Sequence, residues 1–99
     1  MSRKIVCLCG SMRFAETMQQ TAERLELDHG WVALTPVLHA LPRPLTEDEA
    51  ALLADIHRAK IALADAVYIV NPGGYIGQAV RAEIAYAQSL SKEIIYMEA

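Results

Sequence analysis

Cysteine is scarce in this sequence: there are two, Cys7 and Cys9, standing two residues apart. On a strand that spacing puts both side chains on one face. A bond between them would distort the backbone, so two buried free thiols and a reducing, cytoplasmic setting are expected. No Cys/His group has the linear spacing of a zinc site, so neither a metal ion nor a cofactor is expected. Long apolar runs are also missing. Arg3 and Lys4 precede Ile5 to Cys9, only five residues, whereas a signal peptide needs about 7–15 and a membrane helix about 20. A membrane is therefore not an expected partner. Clustered positive charge is absent: nine Lys and Arg are scattered against twelve Asp and Glu, for a formal charge of −3. That argues against a nucleic-acid partner, whose phosphates call for a basic face. No GxGxxG and no Walker sequence occurs, which removes support for dinucleotides and nucleoside triphosphates. There is no internal repeat and no low-complexity segment.

What the chain does have is apolar content. Hydrophobic residues make up 54% of its 99 residues, a high share for one small domain, 1–99. The surplus suggests a covered subunit face, so a homodimer or higher homo-oligomer is expected.

The apolar pattern alternates in type along the chain. Lys4 to Cys9 reads as a buried strand ended by Gly10. Ser11 has N-cap chemistry, and Phe14, Met18, Thr21/Ala22 and Leu25 recur at helical spacing to about Asp28, with Gly30 as C-cap. Trp31 to Thr35 reads as a second strand stopped by Pro36, and residues 37–45 as an irregular loop. Thr46 to Glu49 matches a capping box, opening a helix with an apolar stripe at Leu52, Ile56, Ala59 and Leu63. Ala66 to Val70 is a third strand, about Gly77 to Leu90 a third helix with Val80, Ile84 and Ala87 on one side, and Glu93 to Met97 a last strand.

This β-α-β-α-β-α-β order predicts an α/β fold: a three-layer, flavodoxin-like or Rossmann-like parallel sheet of four strands in order 2-1-3-4, with helices on both faces. Such a sheet opens a crevice where the strand order reverses, at the carboxyl ends of strands 1 and 3. The loops there are Gly10-Ser11-Met12-Arg13 and Asn71 to Gly77.

The first loop has a glycine for a sharp backbone turn and close approach, free N–H groups, a hydroxyl and a guanidinium, which suit a phosphate. It also fits an N-cap serine beside a solvated arginine. The second loop, with Asn71, Gly73, Gly74, Tyr75 and Gly77, offers a backbone nest and an aromatic ring for a base, or serves as an ordinary linker. Glu83 lies beside the third helix's apolar side, four residues from each of two small residues, Ala79 and Ala87. Partial burial there would raise its pKa and suit it as base or nucleophile; a surface ion pair with Arg81 or Lys92 is the plainer alternative. His57 borders the second helix's stripe, as a hydrogen-bonded core-edge residue or an acid/base. Asp65 reads as structural; Tyr68, Tyr86 and Tyr96 read as packing or interface residues.

Three segments resemble the nucleoside 2-deoxyribosyltransferase superfamily, which includes the deoxynucleoside monophosphate N-glycosidases. They are Ile5 to Arg13 (IVCLCGSMR), His57 to Asn71 (HRAKIALADAVYIVN) and Gly73 to Ala87 (GGYIGQAVRAEIAYA). The last two look closest to short bacterial and phage members. The resemblance implies that Glu83 is a nucleophile toward the sugar's anomeric carbon. It implies that Ser11 and Arg13, with the backbone of Gly10 and Met12, hold a phosphate, and that Gly77 and Ala79 contact the ligand. Two residues depart from the family's pattern. His57 stands where an aspartate is usual, and Cys7 where many members carry an aromatic. Typical members are also longer, which leaves part of the pocket missing or supplied by a partner subunit.

The expected activity is cleavage or transfer of the N-glycosyl bond of a nucleoside or nucleotide, by an N-glycosidase (a hydrolase) or a deoxyribosyltransferase. Glu83 and His57 are the expected catalytic pair, and Arg13 favours a 5′-monophosphate and hydrolysis. The alternatives are a non-catalytic nucleotide-binding or sensing module and a small structural protein.

Overall fold

A computed structural model describes residues 2–38 and 42–99. Its strands are β1 (Ile5–Gly10), β2 (Val32–Leu34), β3 (Ala66–Val70) and β4 (Glu93–Tyr96), and its α-helices are α1 (Ala15–His29), α2 (Glu47–Leu63) and α3 (Gln78–Ser89). Short 3-10 turns at Met12–Phe14 and Pro72–Gly74 follow β1 and β3. All pairings are parallel and the order is β2-β1-β3-β4, as the alternating pattern predicts. Residues 39–41 of the irregular loop lie outside the described residues.

Strand alternation sorts the core into two layers. Val6, Leu8 and Val70 pack with Met18 and Leu25 of α1. Cys7, Cys9, Val67 and Ile69 point the other way and pack with Ile61 of α2 and Val80 and Ala87 of α3. The two thiols therefore do share a face, and both are free. Local signals behave as their chemistry dictates. The Glu49 N–H donates to Thr46 Oγ1 at 3.1 Å, and the Thr46 N–H donates to Glu49 Oε1 at 3.0 Å, completing the capping box. Gly30 ends α1 at φ +66°, and its N–H donates to the Glu26 carbonyl. Asp65 is structural: the Ile5 N–H donates to its carboxylate at 2.8 Å, while its own N–H donates to the Ile5 carbonyl at 2.8 Å.

The expected stripe on α2 is corrected. Leu52, Ile56 and Leu63 are exposed at 57%, 40% and 69%, and Ala59 is exposed too. The inward side is instead Leu53, His57 and Ile61, continuing to Ala64. This helix carries apolar residues on two sides, and its exit decides between them. Ala64 is buried and Asp65 is tied to Ile5, which fixes the rotation of the last turn.

Gly10 is corrected as well. It is the last residue of β1, outside the left-handed region, so it is needed for space and not for a sharp turn. A Cβ there would lie 3.0 Å from the Val70 carbonyl oxygen and 3.2 Å from Met18 Sδ. The carbonyl belongs to the neighbouring strand and cannot give way. Gly10→Ala is expected to cost about 1–3 kcal/mol, as overpacking does, seen as a lower urea midpoint with an unchanged slope.

Candidate active site

The crevice at the carboxyl ends of β1 and β3 is a cavity of about 440 Å³, a volume typical of small-molecule sites. The end of β1 and its turn contribute Gly10, Ser11 and Met12. From α2 come Leu53, Ile56, His57 and Lys60; from the far loop and α3 come Tyr75, Gly77, Gln78, Ala79 and Glu83. Most of the lining is apolar, so its few polar groups determine the chemistry.

Glu83 and His57 meet here. The His57 Nε2 lies 3.8 Å from Glu83 Oε2, and the two side chains are 6% and 25% exposed. Burial pushes the Glu83 carboxyl above its ordinary pKa; the nearby His57 and a hydrogen bond with Cys9 offset this only in part. Burial alone would push His57 down. Its bond to Cys7 and the negative charges of Cys7 and Glu83 outweigh that, and the net shift is upward. Beneath the pair lie the two thiols, Cys9 Sγ at 3.6 Å and Cys7 Sγ at 3.9 Å from the same nitrogen. A hydrogen bond from Cys9 draws Cys7 down to about 6 against the opposing effect of burial, and the same bond drives Cys9 upward. The His57 Nδ1 is buried with no hydrogen-bond partner among the described residues.

The phosphate-type turn is partly as expected. Ser11 Oγ accepts the Arg13 N–H at 3.3 Å and so caps the 3-10 turn, with α1 starting only at Ala15. Arg13 does not line the cavity; its guanidinium lies 4.1 Å over the ring of Tyr75. Tyr75 also meets Phe14 edge-on at 6.0 Å. The two loops are therefore joined at the mouth of the cavity by an Arg13–Tyr75–Phe14 stack. Gly77 is the N-cap of α3 and supplies no side-chain cap, so the first-turn N–H groups beside the cavity are left without one.

The rest of the glycine loop turns away. Asn71 is buried and clamps the chain end: its amide donates to the Glu98 carbonyl and its oxygen accepts the Glu98 N–H, each at 2.9 Å. The Gly73 N–H donates to the Glu98 carboxylate. Gly73 and Gly74 have φ of +66° and +80°, as a nest would need. None of these three residues lines the cavity. Conversely, linear spacing gives no sign of Lys60, which lines the cavity while donating to the Thr35 carbonyl at 2.7 Å. Nor does it show the approach of Cys7 and Cys9 to His57, 48–50 residues away, because that cluster is made by packing α2 on β1.

Neither a scan against protein-family models nor a search of curated proteins finds a match to this chain. The site's own geometry therefore carries the functional reading.

Proposed function

We propose that this chain is an enzyme that cleaves the N-glycosyl bond of a nucleoside 5′-monophosphate, with Glu83 as nucleophile. The observation that carries this is the half-buried Glu83 carboxylate, 3.8 Å from the His57 imidazole, in a largely apolar cavity that the Ser11 turn also lines. A Glu83 oxygen attacks C1′, the C1′–N bond breaks, and its electron pair leaves with the base. His57, as imidazolium, gives the departing base its proton. It then takes a proton from the water that hydrolyses the sugar ester, releasing Glu83 as carboxylate. Transfer replaces that water with a second base.

The phosphate would lie against the Ser11–Met12 turn and the uncapped start of α3. Arg13 would leave Tyr75 to reach it. An exposed cation–π contact is worth only about 0.5–1 kcal/mol, so a charge-assisted bond to phosphate outweighs it. Tyr75 would then be free to stack on the base. The free thiols support a reducing compartment such as the cytoplasm. No helix among the described residues is long and apolar enough to cross a membrane.

The test is incubation with 2′-deoxynucleoside 5′-monophosphates and the matching nucleosides, with free base measured by chromatography. Base release, faster from the monophosphates, is expected; none from any of them overturns the reading. A second reading, a nucleotide-binding module without turnover, is favoured by the engagement of His57 with two buried sulfurs. A rise in melting temperature with nucleotide and no base released identifies it.

The exposed Leu52, Ile56 and Leu63 side of α2 supports a homodimer. Ile56 also lines the cavity, so a partner there would help wall the site. Ile56→Asp is expected to convert a dimer to monomers in sedimentation velocity; wild-type monomers would contradict the assignment.

A further inference from the structure

We propose that Cys7, Cys9 and His57, closed by Glu83, form a binding site for a thiophilic divalent cation, Zn²⁺ above all. The proposal concerns a second use of these side chains and stands whether or not the glycosyl chemistry does.

Three donors surround one nitrogen. From His57 Nε2 it is 3.6 Å to Cys9 Sγ, 3.9 Å to Cys7 Sγ and 3.8 Å to Glu83 Oε2. The ligand atoms of Cys7, Cys9 and His57 all lie within 4.8 Å of one another. Zinc holds sulfur at about 2.3 Å and imidazole nitrogen at about 2.0–2.1 Å, so tetrahedral N···S edges are about 3.5–3.6 Å. The two nitrogen–sulfur distances are within a few tenths of an ångström of that figure, a gap that small χ rotations close. Two sulfurs and one imidazole make a three-donor set that zinc accepts, with Glu83, 3.8 Å from the imidazole nitrogen, turning in as the fourth ligand, and the thiolates disfavour magnesium and calcium.

The supporting elements are rigid. Cys7 is held by strand pairing on both sides of β1 and Cys9 by pairing with β3, and His57 sits in the middle of α2. Charge balance also favours a cation. Two thiolates, a carboxylate and a neutral imidazole bring three negative charges, which a divalent ion reduces to one. Lys60 and Arg58 lie close enough to act electrostatically on this cluster. The ion would enter past Glu83 and His57, which line the cavity, while both sulfurs are fully buried beneath them. Binding releases the protons of the coordinating thiols, so affinity should fall as pH is lowered.

The experiment is titration of the reduced full chain with Co²⁺ and then Zn²⁺ under anaerobic conditions. Expected are a thiolate-to-cobalt charge-transfer band, visible absorption of tetrahedral cobalt, and saturation at one ion per chain. Zn²⁺ should displace the cobalt and raise the melting temperature. Cys9→Ala removes a small buried group, and His57→Gln keeps the approximate size; each should lose the charge-transfer band or weaken binding at least tenfold while the folded circular dichroism spectrum persists. Should either variant fail to fold, Glu83→Gln should still show altered visible absorption. The proposal is overturned if no thiolate band forms with the wild-type chain, or if Cys9→Ala and His57→Gln titrate as the wild type does. Base release is not part of the readout, so failure of the metal site and failure of the glycosyl reading remain distinguishable.

Discussion

Glu83→Ala is expected to lower the rate of base release from a deoxynucleoside 5′-monophosphate by about 10³-fold or more, a loss of at least about 4 kcal/mol of transition-state stabilisation. The size follows from the role. A group that forms a covalent bond to C1′ has no partial substitute, whereas a binding group can be replaced in part by water. Glu83→Gln should lose nearly as much, because it keeps the shape of the side chain and removes the anionic oxygen. Stability should move little or upward in Glu83→Gln. Burial is the main influence on this carboxyl and opposes its charged form, so a neutral amide removes a cost. A fall in turnover with an unchanged melting temperature, measured by chromatography and calorimetry on the same preparation, separates chemistry from folding. Equal turnover in wild type and variant would remove Glu83 from the reaction.

His57→Gln should lose about 10²–10⁴-fold in turnover, the contribution of a placed general acid–base. The variant fills a similar volume but carries no proton that it can give to a departing base. The informative readout is the leaving group. A nucleotide whose base departs readily as an anion needs little protonation, so the defect should shrink with such substrates and stay large with ordinary ones. A loss equal for all bases would make His57 a positioning residue for Glu83. That outcome is physically reasonable, since the two side chains lie 3.8 Å apart and His57 also touches both cysteines.

The architecture was readable because each element carries its own physical signal. Ala66 to Val70 is a β-rich run bounded by turn residues, and the strand has those limits in the structure. Thr46 and Glu49 form a reciprocal cap, and Gly30 takes the left-handed conformation that ends α1. The strand order follows from the crossovers, and with it the position of the crevice. Helix orientation was less legible where a helix is apolar on two sides. On α2 the tie between Asp65 and Ile5 and the burial of Ala64 select the face with His57, leaving Leu52, Ile56 and Leu63 outside.

The cavity lining was legible at Glu83, next to the Val80 and Ala87 side of α3, and at the Gly10–Met12 turn. It was not legible where distant side chains decide. Glu98 draws Asn71 and Gly73 away from the cavity, and Tyr75 holds Arg13 at its mouth. The cysteine–histidine cluster depends on α2 lying over β1, a contact that neither segment's spacing records.

The covalent step gives the most direct test of Glu83's role. The wild-type chain is mixed with a deoxynucleoside 5′-monophosphate, quenched in acid within the first turnover, and weighed intact and as peptides. A transient mass increase equal to the substrate minus its free base, located on the peptide carrying Glu83 and absent from Glu83→Ala, is the predicted result. A full turnover's worth of free base from a chain whose mass never changes, or an adduct that persists in Glu83→Ala, would contradict it.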